Sequence, residues 1–557
     1  MTTTQPHSTE PATNGSSPNG SAPAKSHDDA TATPRVLASS LPASITPELT
    51  ARLTALVPAS GEAPSVTTRA PFTGEAIAEL PQCSPAEVTA TAERVRAAQK
   101  EWAGRPLAER AAIVLRLHDL VLDERDRLMD LIQAENGKAR RDAYLEVADI
   151  AITCRYYGRS APSVLAPSRR RGLIPGLTVA EELHHPVGVV SIISPWNYPL
   201  SLGAGDTIPA LLAGNAVIQK ADNQTALTAL AALDLARRAG LPEDLWQIVL
   251  GRGSAIGPAV LDAADFIMFT GSTESGRHIA AEAGRRLVDC ALELGGKNAL
   301  IVLDDADLDR AVEGAVRACF SSTGQLCISI ERIYAHDSIH DEFVRRFVER
   351  VSALTIGPSF SFDTAVGSLT SGEQLDVTSA HVADAVAAGA TVLAGGRARP
   401  DLGPFFFEPT VLSGVGPGME CHREETFGPL VSVYRVGSVA EAIQQANDST
   451  YGLNASVWGR DTRRARKVAM QLRAGTVNVN EAFAAAWGSI DAPMGGMGDS
   501  GIGRRHGASA LLKYTEAQTI ATQRLLNLAP PFERLGDAGF ADVMTRSLRL
   551  LKTLRWR

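Results

Sequence analysis

The chain has 557 residues, 45% of them hydrophobic and 21% charged, an ordinary globular composition with material for roughly three or four units of about 150 residues. Lys and Arg number 54 against 62 Asp and Glu, and an acidic chain without a basic tract lacks the clustered cations a nucleic-acid partner demands. No apolar run of about 18 residues is present to span a membrane, and six scattered cysteines without a CxxC pair exclude a disulfide scaffold or a zinc site of that spacing.

Residues 1–45 are dominated by Thr, Ser, Pro, Ala, Asn and Gly. Such a segment cannot bury enough apolar surface to offset its chain entropy, so a disordered tail is expected there. It has neither the apolar centre of a secretory signal nor the Arg-rich make-up of a transit peptide, and a cytoplasmic setting is expected. Residues 85–135 carry the apolar period of consecutive amphipathic helices, broken near Gly104–Pro106, and a further helix is predicted over 141–158. From 185 to 305 short β-branched runs alternate with Ala-rich stretches: GVVSIIS then a helix over 206–213, NAVIQK then 225–239, WQIVLG then 254–262, FIMFTG then 273–284, and NALIVL. A second series, with strands at RIYAH, ATVLAGG, LVSVYRV, ASVWG and TVNVN, runs to about 495. Strands alternating with helices imply βαβ units and mostly parallel sheets.

Ligands of parallel sheets sit beyond the carboxyl ends of the strands, and several loops there carry unusual residues. ISPWNYP fixes Asn197 between Pro195 and Pro199, where its amide could donate to a developing oxyanion. FTGSTESG opens a helix with Gly271, Ser272 and Gly276, a setting for a phosphate on backbone amides; its spacing departs from GxGxxG. GRGSAIG (Gly251, Gly253, Gly257) also has the wrong spacing and reads as a strand-to-helix turn. LELGGKN leaves Glu293 beside two glycines, open to a water it could activate. SSTGQLCIS sets Cys327 after a Gly-Gln turn, where a thiol could be an exposed nucleophile. Taken singly, each has a plain structural reading: a loop amide, a packing turn, a surface carboxylate, a buried thiol. Together they compose one reaction, in which a thiolate attacks a carbonyl, an amide holds the oxyanion, a nicotinamide takes a hydride and a carboxylate activates water.

PWNYP, FTGSTESG, LELGGKN, GQLC, EETFGP and GTVNVN occur in the order and spacing of the aldehyde dehydrogenase superfamily, and residues 60–525 resemble it. The 34-residue interval from Glu293 to Cys327 is part of that likeness. ACFSSTGQLCISIERIY, MGGMGDSGIGRRHG and LLKYTEAQTIA are most similar to actinobacterial NADP-type succinate-semialdehyde dehydrogenases. The resemblance implies two Rossmann-type parallel-sheet α/β domains plus a small β oligomerisation segment. It places a cofactor-binding domain over 46–165 and 188–295, a catalytic domain over 296–510, oligomerisation strands over 166–187 and 511–525, and an extension over 526–557. It also implies Cys327 as nucleophile, Glu293 as general base, and Asn197 with the Cys327 N–H as oxyanion hole. Trp196, Asn197, Lys220, Ala221, Asp222, Asn223, Gly271, Ser272, Leu294, Glu425 and Phe427 would hold the cofactor, and no metal is called for.

Asn223 stands where NAD-preferring members often carry Glu, and with Lys220 nearby the slot suits a 2′-phosphate, so NADP is favoured, with NAD as an admissible second cofactor. The two arginines thought to clamp the substrate carboxylate in better-known succinate-semialdehyde dehydrogenases are absent. Gly205 and Ser321 occupy those positions, and Gly498 replaces the usual lysine of the late glycine motif. Ser489 could donate one hydrogen bond, Arg317 could reach in, and Arg332 reads as structural. The expected activity is NADP-dependent oxidation of succinate semialdehyde to succinate. The alternatives are oxidation of an uncharged aliphatic or aromatic aldehyde, a thiol hydrolase or CoA-acylating enzyme, or a non-catalytic protein of the same fold. Residues 540–557 form a basic amphipathic helix with Phe540, Met544, Leu548 and Leu551 on one face. Docking on a subunit is expected there rather than membrane contact, and a homodimer or homotetramer is expected overall.

Overall fold

The computed structural model describes residues 41–172, 178–524 and 536–555. Ordered chain begins before the boundary read from composition. Ser44 Oγ donates to Asp130 at 2.6 Å and Ile45 packs on the core, because the apolar Leu49 and Leu53 of the helix Pro47–Thr54 bury against the body and draw the preceding residues in. The remainder of the proposed tail, residues 1–40, lies outside the described residues. The amphipathic run 85–135 folds as three helices rather than two, Pro85–Gly104, Leu107–Asp123 and Arg125–Asn136. The next helix, α1 (Arg140–Val164), runs two turns beyond its predicted end and carries Pro162 in its last turn.

The first sheet is built from β1 (Val189–Ile193), α2 (Pro199–Leu212), β2 (Ala216–Lys220), α3 (Ala226–Arg238), β3 (Trp246–Val249), α4 (Gly253–Asp262), β4 (Phe266–Thr270), α5 (Thr273–Arg286) and β5 (Asp289–Glu293). Helix α2 begins seven residues before the predicted 206. Pro199 takes the first turn, where its missing N–H costs nothing and its fixed φ already suits the helix. The second sheet comprises β6 (Asn298–Val302), β7 (Ile330–His336), β8 (Thr391–Ala394), β9 (Thr410–Ser413), β10 (Leu430–Val436), β11 (Asn454–Trp458) and β12 (Thr476–Val479), with α6 (Leu308–Phe320) between β6 and β7. A two-residue strand, β13 (Gly501–Ile502), returns to the first sheet, whose order is β13-β5-β4-β1-β2-β3; the second runs β8-β9-β10-β7-β6-β11-β12. All pairings are parallel except β13 on β5 and β8 on β9.

In the first sheet the chain moves one way through β1, β2 and β3, then crosses to the other side of β1 for β4 and β5. The loops after β1 and β4 therefore diverge and leave a crevice at the carboxyl edge, the place such sheets bind ligands. Strands Ser168–Arg171, Thr178–Pro186 and Thr515–Gln523 pair antiparallel in a separate small sheet. The C-terminal helix Gly536–Thr553 buries none of its residues. No helix among the described residues is long and apolar enough to cross a membrane.

Candidate active site

Three polar side chains from two sheets meet in one cavity. Asn197 follows β1, Glu293 ends β5, and Cys327 lies between α6 and β7; all three line one cavity. Their loops are tied to one another. Asn197 Nδ2 donates to the Gln325 carbonyl at 3.0 Å, which joins the oxyanion candidate to the cysteine loop. Asn298 Nδ2 holds the Cys327 carbonyl at 2.7 Å. The Cys327 backbone N–H has no acceptor among the described residues and stays available.

The cysteine loop has an unusual backbone. Ser322, Thr323 and Gly324 all take left-handed φ values of 50°, 58° and 74°, a conformation costly for a β-branched residue. Outside partners hold it there. Ser322 N donates to Asp142 at 2.8 Å, Ser322 Oγ to the Tyr198 hydroxyl at 2.9 Å, and Thr370 N to Gln325 Oε1 at 3.0 Å. A Cβ on Gly324 would run into the Gly428 carbonyl oxygen, so glycine is demanded there by both space and φ.

A buried ion pair fixes the Asn197 turn. Lys138 and Glu146, both fully buried, pair at 2.7 Å. Lys138 Nζ also donates to the Asn197 carbonyl at 2.6 Å and sits 3.5 Å above the Tyr198 ring centre. Glu146 accepts from Leu200 N at 2.9 Å and Ser201 N at 3.2 Å. Helix α2 has no side-chain cap of its own, so a carboxylate from α1 satisfies its first orphan donors.

Glu293 is buried, and its Oε1 has no hydrogen-bond partner. A Cβ on Gly495 would stand 2.8 Å from that oxygen, so the bare glycine makes room for the carboxylate. Burial pushes Glu293 up to about 7, with the nearby Arg505 and Lys513 opposing. Arg505 clasps Asp206 of α2 with Nε at 3.1 Å and Nη2 at 2.5 Å, and Nη2 reaches Thr270 at 2.5 Å. Thr270 and Glu293 are in register on adjacent strands, which sets this cation beside the carboxylate. Burial drives the Cys327 thiol up to about 12; Arg505 pulls it down while Glu425 and Glu293 add to the rise.

The cofactor candidates line the same carboxyl edge. Trp196 and Phe427 meet edge to face at 5.6 Å. Glu331, ion-paired to buried Lys297, accepts from Thr426 N and Phe427 N at 3.0 Å each and so holds the Glu425–Phe427 loop. Glu425 accepts from Gly296 N at 2.9 Å and is pushed up to about 8 by burial and by Glu331. Gly271 and Ser272 stand at the start of α5, where Ser272 Oγ caps Ser275 N at 3.3 Å. Leu294 follows β5 with its N–H on the Ser500 carbonyl at 3.0 Å. Lys220 ends β2, and its ammonium has no partner among the described residues. Ala221 is buried, and Asp222 caps Gln224 N at 2.9 Å. Asn223 donates to Gln82 at 2.9 Å, leaving its Oδ1 without a partner.

The substrate candidates separate. Ser489 is exposed, is not among the cavity's lining residues, and turns its hydroxyl back to the Ala485 carbonyl at 2.7 Å, because the short helix Ala484–Gly488 offers an unused carbonyl beside it. Arg317 pairs with Glu481 at the surface at 2.9 Å. Arg332 is buried and spends its donors on the carbonyls of Lys297, Gln445 and Ala446, a structural role as read. Ser321 is buried where α6 ends, whereas Gly205 opens on the cavity. Lys138, Glu146, Asp206 and Arg505 escaped the sequence reading; the only signal for Arg505 was its place in the glycine-rich GIGRRHG.

A cysteine, a carboxylate and an amide donor meet at the carboxyl edge of a doubly wound sheet, the edge where such sheets bind ligands. The pattern of the Aldehyde dehydrogenase family matches residues 57–520, and the chain belongs to that family and is an enzyme of its kind. A relative from Mycolicibacterium smegmatis, provisionally named succinate-semialdehyde dehydrogenase [NADP(+)], is 53% identical over 87% of this chain and 94% of its own. The succinate-semialdehyde dehydrogenase [NADP(+)] of Deinococcus radiodurans is 39% identical over 81% and 93%. Among solved structures, betaine aldehyde dehydrogenase from Staphylococcus aureus in complex with NAD+ is similar with a TM-score of 0.81 at 31% identity, covering 87% of this chain and all of that one. An E. coli NADP dependent enzyme scores 0.80 at 30% identity, covering 84% and 97%.

Proposed function

We propose that this enzyme oxidises succinate semialdehyde to succinate with NADP, and that Cys327, Glu293 and Asn197 carry the chemistry. The observation behind it is the convergence of these three on one cavity, with a Glu293 oxygen unpartnered and the Cys327 N–H free. The names of the relatives support the substrate and the cofactor.

Cys327 attacks the aldehyde carbon once Glu293 accepts its proton, an exchange a carboxylate near 7 can make more readily than an ordinary one. The negative oxygen is received by the Asn197 amide and the Cys327 N–H, giving a thiohemiacetal. Loss of hydride from that carbon leaves a thioester, and the chemistry a bound nicotinamide supplies is acceptance of that hydride. Glu293 passes that first proton to solvent, then takes one from the water that attacks the thioester; the C–S bond breaks, the acid leaves, and Glu293 returns the proton to the departing Cys327 sulfur. The residues fit a phosphorylated dinucleotide: Lys220 offers an ammonium unpaired among the described residues, Asn223 offers an orphaned acceptor suited to a hydroxyl where a carboxylate would repel a 2′-phosphate, and the neighbouring Asp222 carboxylate is engaged with the Gln224 N–H. We divide the domains as the resemblance implies, except that the first domain takes in residues 41–45, with the small three-stranded sheet serving assembly into a homodimer or homotetramer in the cytoplasm.

The test is the absorbance of reduced nicotinamide with purified enzyme, comparing succinate semialdehyde with acetaldehyde and a medium-chain aldehyde, each with NADP and NAD. A clear preference for succinate semialdehyde with NADP is expected. Preference for an uncharged aldehyde would overturn the substrate assignment and leave the aldehyde-oxidising chemistry standing.

A further inference from the structure

The cavity is lined by more than the reacting residues. Beyond Cys327 it extends between α1 and α2 into an annexe bounded by Asp149, Thr153, Ser201, Gly205, Arg505 and His506. Gly205 creates this extension: a Cβ there would meet nothing closer than Ile150 Cδ1 at 3.7 Å, so the helix face is bare where other residues would fill the space.

The annexe carries polar groups that the protein leaves unused. Ser201 Oγ and His506 Nδ1 are buried without a hydrogen bond of good geometry, and the Ser201 hydroxyl lies against the Asp149 carboxyl, whose pKa it lowers. Arg505 commits Nε and Nη2 to Asp206 and Thr270, while its Nη1 has no partner among the described residues and its side chain stays 13% exposed to the cavity it lines. Orphaned buried donors are costly unless something fills them. Two such groups on one space, beside Arg505 as the cavity's one charged donor, describe a receptor for an anion with several lone pairs. The surrounding charges permit it. Glu146 is neutralised by Lys138, Asp206 shares the Arg505 guanidinium through Nε and Nη2, and burial leaves Glu293 partly protonated near neutrality at about 7. Burial raises Asp149 to about 7, so its carboxyl spends part of its time protonated near neutrality. Burial and Arg505 lower His506 to about 4, which leaves a neutral ring with one N–H to give.

We propose that this annexe receives the substrate's far carboxylate, with Arg505 Nη1, Ser201 Oγ and the His506 ring as its donors, in place of the arginines missing at Gly205 and Ser321. The inference rests on the succinate-semialdehyde reading and supplies the anchor that reading lacks. It also assigns Gly205 a purpose, because the absent side chain is the room the carboxylate occupies.

Two measurements test it separately from the parent reading. In the first, succinate is titrated calorimetrically into the enzyme beside butanoate, which has the same length and one carboxylate fewer. Succinate is expected to bind more tightly, and Ser201→Ala and Gly205→Leu are expected to abolish that advantage; equal binding of the two acids, or variants that keep the difference, would overturn the annexe. The second is the ratio of kcat/KM for succinate semialdehyde over butanal. Ser201→Ala should lower this ratio about tenfold and Arg505→Met about a hundredfold, the scale of losing one hydrogen bond to a charged group and of losing the charged donor itself. Arg505→Lys should restore part of it. Because Arg505→Met strands Asp206 and could cost the fold, the two α2 variants decide the outcome. A wild-type ratio near one would remove the substrate reading, whereas a high ratio untouched by both α2 variants would remove the annexe alone.

Discussion

Replacing Lys138 by Met tests whether the buried pair beneath Asn197 supports both the fold and the oxyanion site. Met has similar length and packs readily, so the variant removes the charge with little loss of volume. It leaves Glu146 without its cation in a fully buried site, where only the backbone N–H groups of Leu200 and Ser201 remain to it. Breaking a buried pair by deleting one partner costs about 3–5 kcal/mol. Loss of the 2.6 Å bond to the Asn197 carbonyl adds to this, and the parts share atoms and do not simply sum. The penalty has a sign with pH. Burial already holds the Glu146 carboxyl above its ordinary value, so without Lys138 it takes up a proton more easily, and the cost shrinks as pH falls and grows as pH rises. Urea unfolding of both proteins on either side of neutrality measures this, and kcat measured on the folded fraction follows the oxyanion donor. Adding Glu146→Gln should recover part of the stability, since the stranded charge is then gone. A stability loss under about 1 kcal/mol, flat with pH and with kcat unchanged, would refute the argument that this pair holds the Asn197 turn.

Glu293→Gln is expected to slow both the first release of reduced cofactor and the later turnover, each about a hundredfold, because general-base assistance of that order is lost at the thiol and again at the thioester; rapid-mixing absorbance separates the phases. In the native enzyme kcat should rise with pH through about 7 as Glu293 loses its proton, and that limb should vanish from the Gln variant. Asn223→Glu should move the preference from NADP toward NAD, read as the ratio of kcat/KM for the two, since a carboxylate would repel the 2′-phosphate. Gly324→Ala should destabilise by about 1–3 kcal/mol and depress activity in step, because the new methyl meets the Gly428 carbonyl and the φ of 74° is strained for alanine; thermal unfolding and kcat report the two effects.

The alternation of β-branched runs with Ala-rich segments was enough to place the helices following β2, β3 and β4 to within two residues, because period and composition are local properties of the chain. The three residues proposed to react were legible too, since Asn197, Glu293 and Cys327 each sit in a loop whose prolines or glycines mark it, and they line one cavity. The early start of α2 was missed because its cap is Glu146, 54 residues away from the Leu200 amide it satisfies, and no local pattern reports a cap supplied by another helix. Ser489 looked suitable by position alone, but the direction of a hydroxyl depends on which carbonyl the fold sets beside it.

The sequence by itself therefore determined the layered α/β architecture, the family and the candidate residues of the cavity, because these follow from periodicity and from motifs a few residues long. Only the tertiary structure decided that Lys138 and Glu146 hold the oxyanion turn, that Arg505 faces Glu293 across Asp206 and Thr270, and that Gly205 opens a room rather than merely lacking a clamp. Each of these depends on burial and on partners far apart in the chain, where removal from water sets the strength of a charge and no neighbour in sequence records it.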